Sequence, residues 1–103
     1  MKTFKYLRLF YSNVVIVVDS TDKEILDWAI ASIKQAAPSC NMKTDSASGE
    51  IRLDKLQGKD LALGTWLRTQ LCLNGWEPFA VTLHSNQGTS GLPTYHFRFE
   101  GDS

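Results

Sequence analysis

The chain has 103 residues, of which 43% are hydrophobic and 21% are charged, and its 11 basic residues balance 11 acidic ones. That length fits a single domain over residues 1–103 with one modest core. A formal net charge of zero argues against a dedicated nucleic-acid binder, which needs a cationic surface to release phosphate counterions.

The chain shows no pattern typical of secretion or membrane insertion. Its first residues are too polar for a secretory signal, and the apolar run at 14–18 is far shorter than the roughly 20 residues of a membrane-spanning helix. The two cysteines, Cys40 and Cys72, are fewer than a small secreted scaffold usually carries. We therefore expect reduced thiols that are at least partly buried, a cytoplasmic location and no membrane attachment.

The first two elements are predicted strands. Residues 4–11 are rich in aromatic and aliphatic side chains, with the even-numbered positions on one side and the odd-numbered ones on the other. The run at 14–18 is β-branched and has no polar face, which is typical of a central strand covered on both sides. The two segments form either a hairpin or one long bent strand, and the sequence does not separate these.

A first helix is predicted over 22–36. Thr21 with Glu24 three residues later matches a capping box, and Pro38 excludes the residue before it from the helix. After it, the polar segment 39–49 predicts a loop, or the tip of a hairpin whose first arm is short. Residues 50–54 then alternate between polar and apolar, which predicts a strand with one wet face.

A second helix is predicted over 59–73. Gly64 inside it costs about 1 kcal/mol relative to alanine, so either packing requires a small residue there or the helix starts later. Gly75 fits the left-handed position that ends many helices, and Trp76 is expected to fold back onto the last turn.

The last two strands are predicted as a hairpin with His84 opposite Thr94. This register collects the large apolar residues on one face: Phe79, Val81, Leu83, Tyr95, Phe97 and Phe99. The connection at 85–93 is long for a hairpin. The order of elements predicts an α+β domain: a small antiparallel or mixed sheet of four to five strands, with two helices packed on one face.

The C-terminal half carries a short pattern around the second helix. Residues 67–77 form a helix ending in Asn-Gly-Trp-Glu, followed by a strand at 79–83 and the aromatic strand Tyr95-His96-Phe97-Arg98. The pattern resembles a family of small bacterial domains of unknown function. It covers less than half of the chain, and Pro78 and the long connection depart from it. The resemblance supports the fold of that half and implies no activity.

His84, His96 and Arg98 share the polar face of the predicted hairpin. In the predicted register the histidines are diagonal neighbours, within reach of one metal ion. Their neighbours on that face are poor ligands, and the cysteines lack zinc-site spacing, so we expect no metal and no cofactor. The three residues stay a candidate site for a small ligand of unknown identity. We find no catalytic constellation, so the sequence leans away from an enzyme without deciding the question.

Two further surfaces are candidates for partner binding. Trp28 and Trp66 lie on or near helix faces that one sheet face need not cover fully, and a leftover aromatic edge would mark a protein partner, with core packing as the equal alternative. The N-terminal strand interleaves basic and aromatic residues, and with Arg98 it is a candidate single-strand nucleic-acid platform. The neutral charge favours an edge strand protected by charge instead.

We therefore rank three hypotheses for the function. The first is a non-catalytic protein-interaction or regulatory module that pairs with itself through an edge strand or an exposed helix. The second is a small ligand-binding domain or enzyme whose site lies between the sheet face of His84, His96 and Arg98 and the loop at 85–93. The third is weak binding of single-stranded nucleic acid.

Overall fold

The computed structural model describes residues 2–12, 15–38, 40–45, 47–54, 56, 62–84 and 92–102. These residues form six strands and two helices: β1 (Lys2–Tyr11), β2 (Val15–Ser20), α1 (Lys23–Ala36), β3 (Asn41–Asp45), β4 (Glu50–Asp54), α2 (Leu63–Leu73), β5 (Glu77–His84) and β6 (Leu92–Asp102). The strands make one sheet in the order β3-β4-β2-β1-β6-β5, and each neighbouring pair is antiparallel. The α+β prediction is confirmed, and the predicted count of four to five strands is wrong.

The additional strand is β3, which lies in the segment predicted as a loop or as the tip of a hairpin with a short first arm, and it forms that first arm. Its residues, Asn41 to Asp45, carry no alternating apolar pattern, and their side chains are half-buried or exposed. They form a strand because they pair with β4 along its whole length. Strand pairing also decides between the hairpin and the single bent strand that were left open at the N-terminus. Strands β1 and β2 run antiparallel and form a hairpin.

One face of the sheet carries the core. The alternation predicted for β1 is confirmed, because Leu7 and Leu9 are buried while the even-numbered side chains between 4 and 8 are exposed. The buried sheet residues form one cluster with buried residues of both helices, so the helices pack on the same face, as predicted. The cluster comprises Leu7, Leu9, Ile16, Val18, Ile51, Leu53 and Phe97 from the strands, and Ile25, Ala29, Ile33, Leu63, Leu67 and Leu71 from the helices.

The second strand is central but is not covered on both sides. In β2, Ile16 and Val18 are buried against the helices, whereas Val15 and Val17 are half-buried on the opposite face. The prediction of two-sided coverage is therefore wrong, because among the described residues both helices lie on one face. A β-branched run without polar residues does not distinguish full coverage from half coverage.

Local capping signals set the start of α1 and the end of α2. The cap of α1 is Asp22 and not Thr21, because the Asp22 carboxylate accepts the Ile25 N–H at 3.3 Å. At the end of α2, Gly75 has φ +91°, and the Trp76 N–H donates to the Leu71 carbonyl at 2.9 Å. This pair of features is the Schellman motif, in which a left-handed glycine lets the chain fold back on the last turn. The predicted role of Gly75 is confirmed.

Gly64 lies in the first turn of α2, where both a later helix start and a packing requirement apply. The helix begins at Leu63, later than predicted, and residues 57–61 lie outside the described residues. Packing also requires the small residue, because a Cβ on Gly64 would come within 2.3 Å of the Tyr11 ring. The Tyr11 ring in turn stacks on Tyr95 at 5.7 Å between centroids, which limits where it can go.

The last hairpin differs from the predicted register by two residues. Thr82, and not His84, lies opposite Thr94, and the pairing is irregular between Pro78 and Ala80. Val81 shares the helix-facing side with Tyr95, as predicted, but is 55% exposed, because β5 is an edge strand beyond most of the helix cover. Phe97, also expected in the core, is fully buried. Residues 85–91, most of the predicted connection, lie outside the described residues.

We predict that Gly64→Ala destabilises the fold by up to about 2 kcal/mol. The helix gains about 1 kcal/mol from alanine, but overpacking against Tyr11 costs roughly 1–3 kcal/mol and outweighs that gain. Urea unfolding followed by circular dichroism measures the difference. Thr65→Ala, an exposed neighbour in the same turn, is the control and should change stability by no more than about 0.5 kcal/mol. A Gly64→Ala protein as stable as the wild type would contradict the packing argument.

Candidate functional site

The face of the sheet opposite the helices exposes three aromatic rings close to one another. Phe4 is 42% exposed, Tyr6 52% and Phe79 44%. Tyr6 and Phe79 meet edge to face with 5.9 Å between ring centroids, and Phe4 lies 6.4 Å from Tyr6. Monomeric proteins bury most such rings, so a group of three on one surface marks a candidate binding site.

Arg98 of β6 joins two of these rings. Its guanidinium carbon lies 5.2 Å from the Phe4 ring centroid and 5.4 Å from the Phe79 ring centroid, within cation–π range of both. Its Nε donates to Glu77 Oε2 at 3.3 Å on the neighbouring strand. We call Phe4, Tyr6, Phe79 and Arg98 the aromatic–arginine patch. The ion pair and the two rings restrict the guanidinium to one position.

Phe79 reaches this patch because of the irregularity in β5. Regular alternation would place Phe79 on the helix-facing side with Val81, as the sequence predicted. The register shift between Pro78 and Ala80 inserts an extra residue and turns Phe79 toward Tyr6 and His96. The prediction for Phe79 is therefore wrong. The proline early in the strand is the signal that could have indicated an irregular pairing.

The second arginine of this face is also ion-paired. Arg8 Nε donates to Asp19 Oδ1 at 2.9 Å across the β1–β2 hairpin. That hydrogen bond and the charge of Asp19 raise the pKa of the Arg8 guanidinium above its ordinary value. Arg8 and Arg98 thus both have carboxylate partners, and the part of the face around the patch offers little unbalanced positive charge for an anion.

The structure brings together only part of the predicted histidine site. His96 and Arg98 lie on the open face, where His96 Nε2 is 2.9 Å from Thr82 Oγ1. His84 lies opposite Leu92 and His96 opposite Ala80, so the histidines are four strand positions apart, about 13 Å. They are not diagonal neighbours, and that prediction is wrong. The side chain of His84 lies outside the described residues.

A cavity of about 380 Å³ adjoins the patch. Tyr6, Arg8, Phe79 and His96 are among the residues that line it. Within the part of the chain that the structure describes, no group of three or more His, Cys, Asp or Glu side chains is placed to hold a metal ion. The cavity therefore offers aromatic surface and paired charges to a ligand.

The other predicted residues lie elsewhere. Trp28 and Trp66 are half-buried and packed against the core, and neither belongs to the open face. Cys40 and Cys72 are not joined in a disulfide, and Cys72 is exposed, so the expectation that both thiols are at least partly buried is wrong for Cys72. The last turn of an amphipathic helix leaves one side to solvent whatever its residues are.

The same face carries a buried threonine, Thr94, whose hydroxyl has no hydrogen-bond partner among the described residues. Thr94 lies between Phe10 and Thr82 in the sheet and is 6% exposed. Its Oγ1 is buried and has no hydrogen-bond partner, and no other buried side-chain oxygen or nitrogen of the described residues lacks one. A buried hydroxyl without a partner costs roughly 1–3 kcal/mol of desolvation.

We predict that Thr94→Val stabilises the protein by about 1 kcal/mol, because valine has nearly the same shape and needs no hydrogen bond. Thermal and urea unfolding measure the effect. Thr82→Val is the matched control, since its hydroxyl is exposed and bonded to His96, and it should bring no gain. Equal effects of the two substitutions would show that the Thr94 hydroxyl is satisfied.

Comparison with protein-family models, with curated proteins and with solved structures finds no match to this chain. The resemblance of the C-terminal half to small bacterial domains therefore stays an expectation. No helix in the described part of the chain is long and apolar enough to cross a membrane.

Proposed function

We propose that this chain is a non-catalytic protein-interaction module that forms a homodimer by pairing two copies of β5 edge to edge. The observation that carries the proposal is the aromatic–arginine patch beside a strand edge that has no neighbouring strand among the described residues and no lysine. The module is proposed to work in the cytoplasm, in keeping with two cysteines that form no disulfide.

The composition of the patch supports a protein partner. Aromatic residues and arginine are enriched at the centres of protein interfaces, where a few such residues supply most of the binding energy. Phe4, Tyr6 and Phe79 provide exposed apolar area, and Arg98 is already held in place by Glu77. Because the rings and the guanidinium contact one another before binding, little side-chain entropy remains to be lost.

The edge of β5 supports pairing with another strand. Strand β5 ends the sheet, so one side of its backbone has no neighbouring strand in the described residues. Natural edges are commonly protected by lysine, and β3, the other edge, carries exposed Lys43. Strand β5 has no lysine, and it exposes Phe79 and Val81. Pro78 and the irregular pairing beside it protect only the start of β5, and the apolar remainder of the edge is the kind that accepts a further strand.

A second copy of this chain suits that edge better than an unrelated strand of strong charge. Glu77 is the one residue of β5 with a formal charge, and Arg98 neutralises it. Two copies of β5 therefore do not repel each other. Antiparallel self-pairing has two-fold symmetry and closes at a dimer, whereas pairing of β5 with β3 of another copy would propagate. The symmetric pairing also places both patches on the same side of one continuous sheet.

We predict that Val81→Asp weakens the dimer at least tenfold, since a carboxylate at the pairing edge has to be desolvated. Val81 is already 55% exposed, so the monomer should keep its fold. Sedimentation equilibrium over a range of micromolar concentrations measures the association, and circular dichroism checks the fold. Thr44→Asp places the same charge on the helix-facing side of the other edge strand and is the matched control.

The outcomes separate the possibilities. A wild-type protein that stays monomeric at about 100 μM would overturn the homodimer, because a specific interface with such a weak dissociation constant has little biological use. Dissociation by Thr44→Asp but not by Val81→Asp would move the interface to β3. Equal weakening by both variants would point to a general charge effect.

A small-ligand site is the second candidate, and the cavity of about 380 Å³ beside the patch favours it. Tyr6 and Phe79 would stack on a planar ligand, while Arg8, His96 and Arg98 would supply polar contacts. Since Arg8 and Arg98 already have carboxylate partners, an anionic ligand would have to compete with Asp19 and Glu77. This competition makes the cavity a weaker argument than the edge.

Single-stranded nucleic acid is the third candidate, favoured by rings and arginines on one sheet face. If Arg8 and Arg98 each neutralise one phosphate, affinity should fall about sevenfold when salt rises fourfold, for example from about 50 to 200 mM. Fluorescence anisotropy with a labelled oligothymidylate measures this. Affinity that does not respond to salt, or to replacement of both arginines by glutamine, would exclude the platform.

A further inference from the structure

A cavity of about 260 Å³ lies on the helix side of the sheet, away from the open face. Four elements meet there: the start of α1, the turn after α2, and the strands β1 and β6, which contribute Asp22, Asn74, Lys5 and Phe99 in that order. All residues that line it belong to the described part of the chain. The proposed dimer does not use this cavity.

Aromatic rings form much of the cavity wall. Trp76 and Phe99 contact each other with 5.5 Å between ring centroids, and Trp28 contributes from α1. Trp76 is only 5% exposed, and the turn of Gly75 that ends α2 fixes its position. The faces of aromatic rings carry negative electrostatic potential, and tryptophan is the strongest of them in attracting cations.

The charged groups of the cavity also favour a cation. Asp22 and Glu24 contribute two carboxylates, against one ammonium from Lys5. The start of α1 carries roughly +0.5 charge and the end of α2 roughly −0.5, so the two helix ends nearly cancel. The lining therefore has a net charge of about −1 in addition to the ring faces.

The chain already places one of its own ammonium groups at this cavity. Lys5 Nζ lies 3.6 Å from Asp22 Oδ1, and the lysine side chain is 45% exposed. The other Asp22 oxygen caps the Ile25 N–H, so the carboxylate cannot turn away from its position. An exposed ion pair of this kind is worth about 0–1 kcal/mol, little enough for a ligand to replace it.

We propose that this cavity binds a small organic ammonium ion, with quaternary ammonium preferred, and that Lys5 is its internal competitor. A quaternary ammonium group gives up little hydration on entry and contacts ring faces with its methyl groups. Trp28, Trp76 and Phe99 surround the methyl groups, and Asp22 and Glu24 balance the charge.

Choline is the probe, and 3,3-dimethylbutan-1-ol, which has the same shape without the charge, is the matched control ligand. We expect choline to bind with a dissociation constant of about 1–10 mM, as suits a small ligand in a partly open site. Tryptophan fluorescence and two-dimensional NMR follow the titration, because two of the wall residues are tryptophans. The alcohol should bind at least tenfold more weakly.

Lys5→Met separates this proposal from a merely apolar cavity. Removing a positive charge next to the ligand should tighten choline binding about tenfold, since no ammonium then competes for Asp22. Trp28→Leu should abolish binding, while Trp66→Leu, a half-buried tryptophan outside this cavity, should leave it unchanged. If Trp28→Leu fails to fold, Glu24→Gln, an exposed change, should weaken choline at least threefold.

Three results would overturn the proposal. They are equal affinity for choline and the neutral alcohol, no saturable choline binding to Lys5→Met, and choline affinity that falls in Lys5→Met. Shifts of NMR signals confined to the open face would show that choline binds elsewhere. Because none of these readouts depends on the oligomeric state, failure of the dimer would leave this test intact.

Discussion

The helix cover of this sheet lies on one side, and the rest of the structure depends on that constraint. The central helix-facing side chains of β1, β2, β4 and β6 are almost fully removed from water, and each large one contributes roughly 1.5–3 kcal/mol. The cover is close enough that Gly64 contacts the Tyr11 ring and tolerates no Cβ. Among the described residues, the opposite face receives no helix and the two outer strands receive little helix cover, so their exposed side chains have to be compatible with water or with a partner.

The open face combines aromatic rings and ion pairs that add little to the stability of the fold but suit recognition of a partner. Exposed ion pairs such as Arg8–Asp19 contribute about 0–1 kcal/mol, so stability does not explain them. These ion pairs neutralise Arg8 and Arg98 and hold both in place, which suits recognition of a protein surface better than recognition of phosphate. The two edges of the sheet also differ in a way that suits a protein partner at β5. Strand β3 presents Lys43, whereas β5 presents Phe79 and Val81.

Local patterns predicted the parts of the fold that depend on local energetics. The alternation around Leu7 and Leu9, the position of α1 and the turn at Gly75 all follow from signals in the neighbouring sequence. The patch was not predicted as a unit. Phe4 and Tyr6 were placed together on one side of β1 and Arg98 on the polar face of the last hairpin, but Phe79 was assigned to the wrong side, because the irregularity between Pro78 and Ala80 breaks the alternation at that residue.

By itself, then, the sequence determined both helices, the strands other than β3 and the alternation of side chains along β1, since neighbours in the chain set these preferences. The tertiary structure decided the strand order, the strand β3, the register of β5 and the meeting of Trp28 with Trp76 at one cavity. These features rest on pairing between distant segments, as where Lys2 lies opposite Asp102. Such pairing depends on the competition among all strands for partners, and no local pattern records its result.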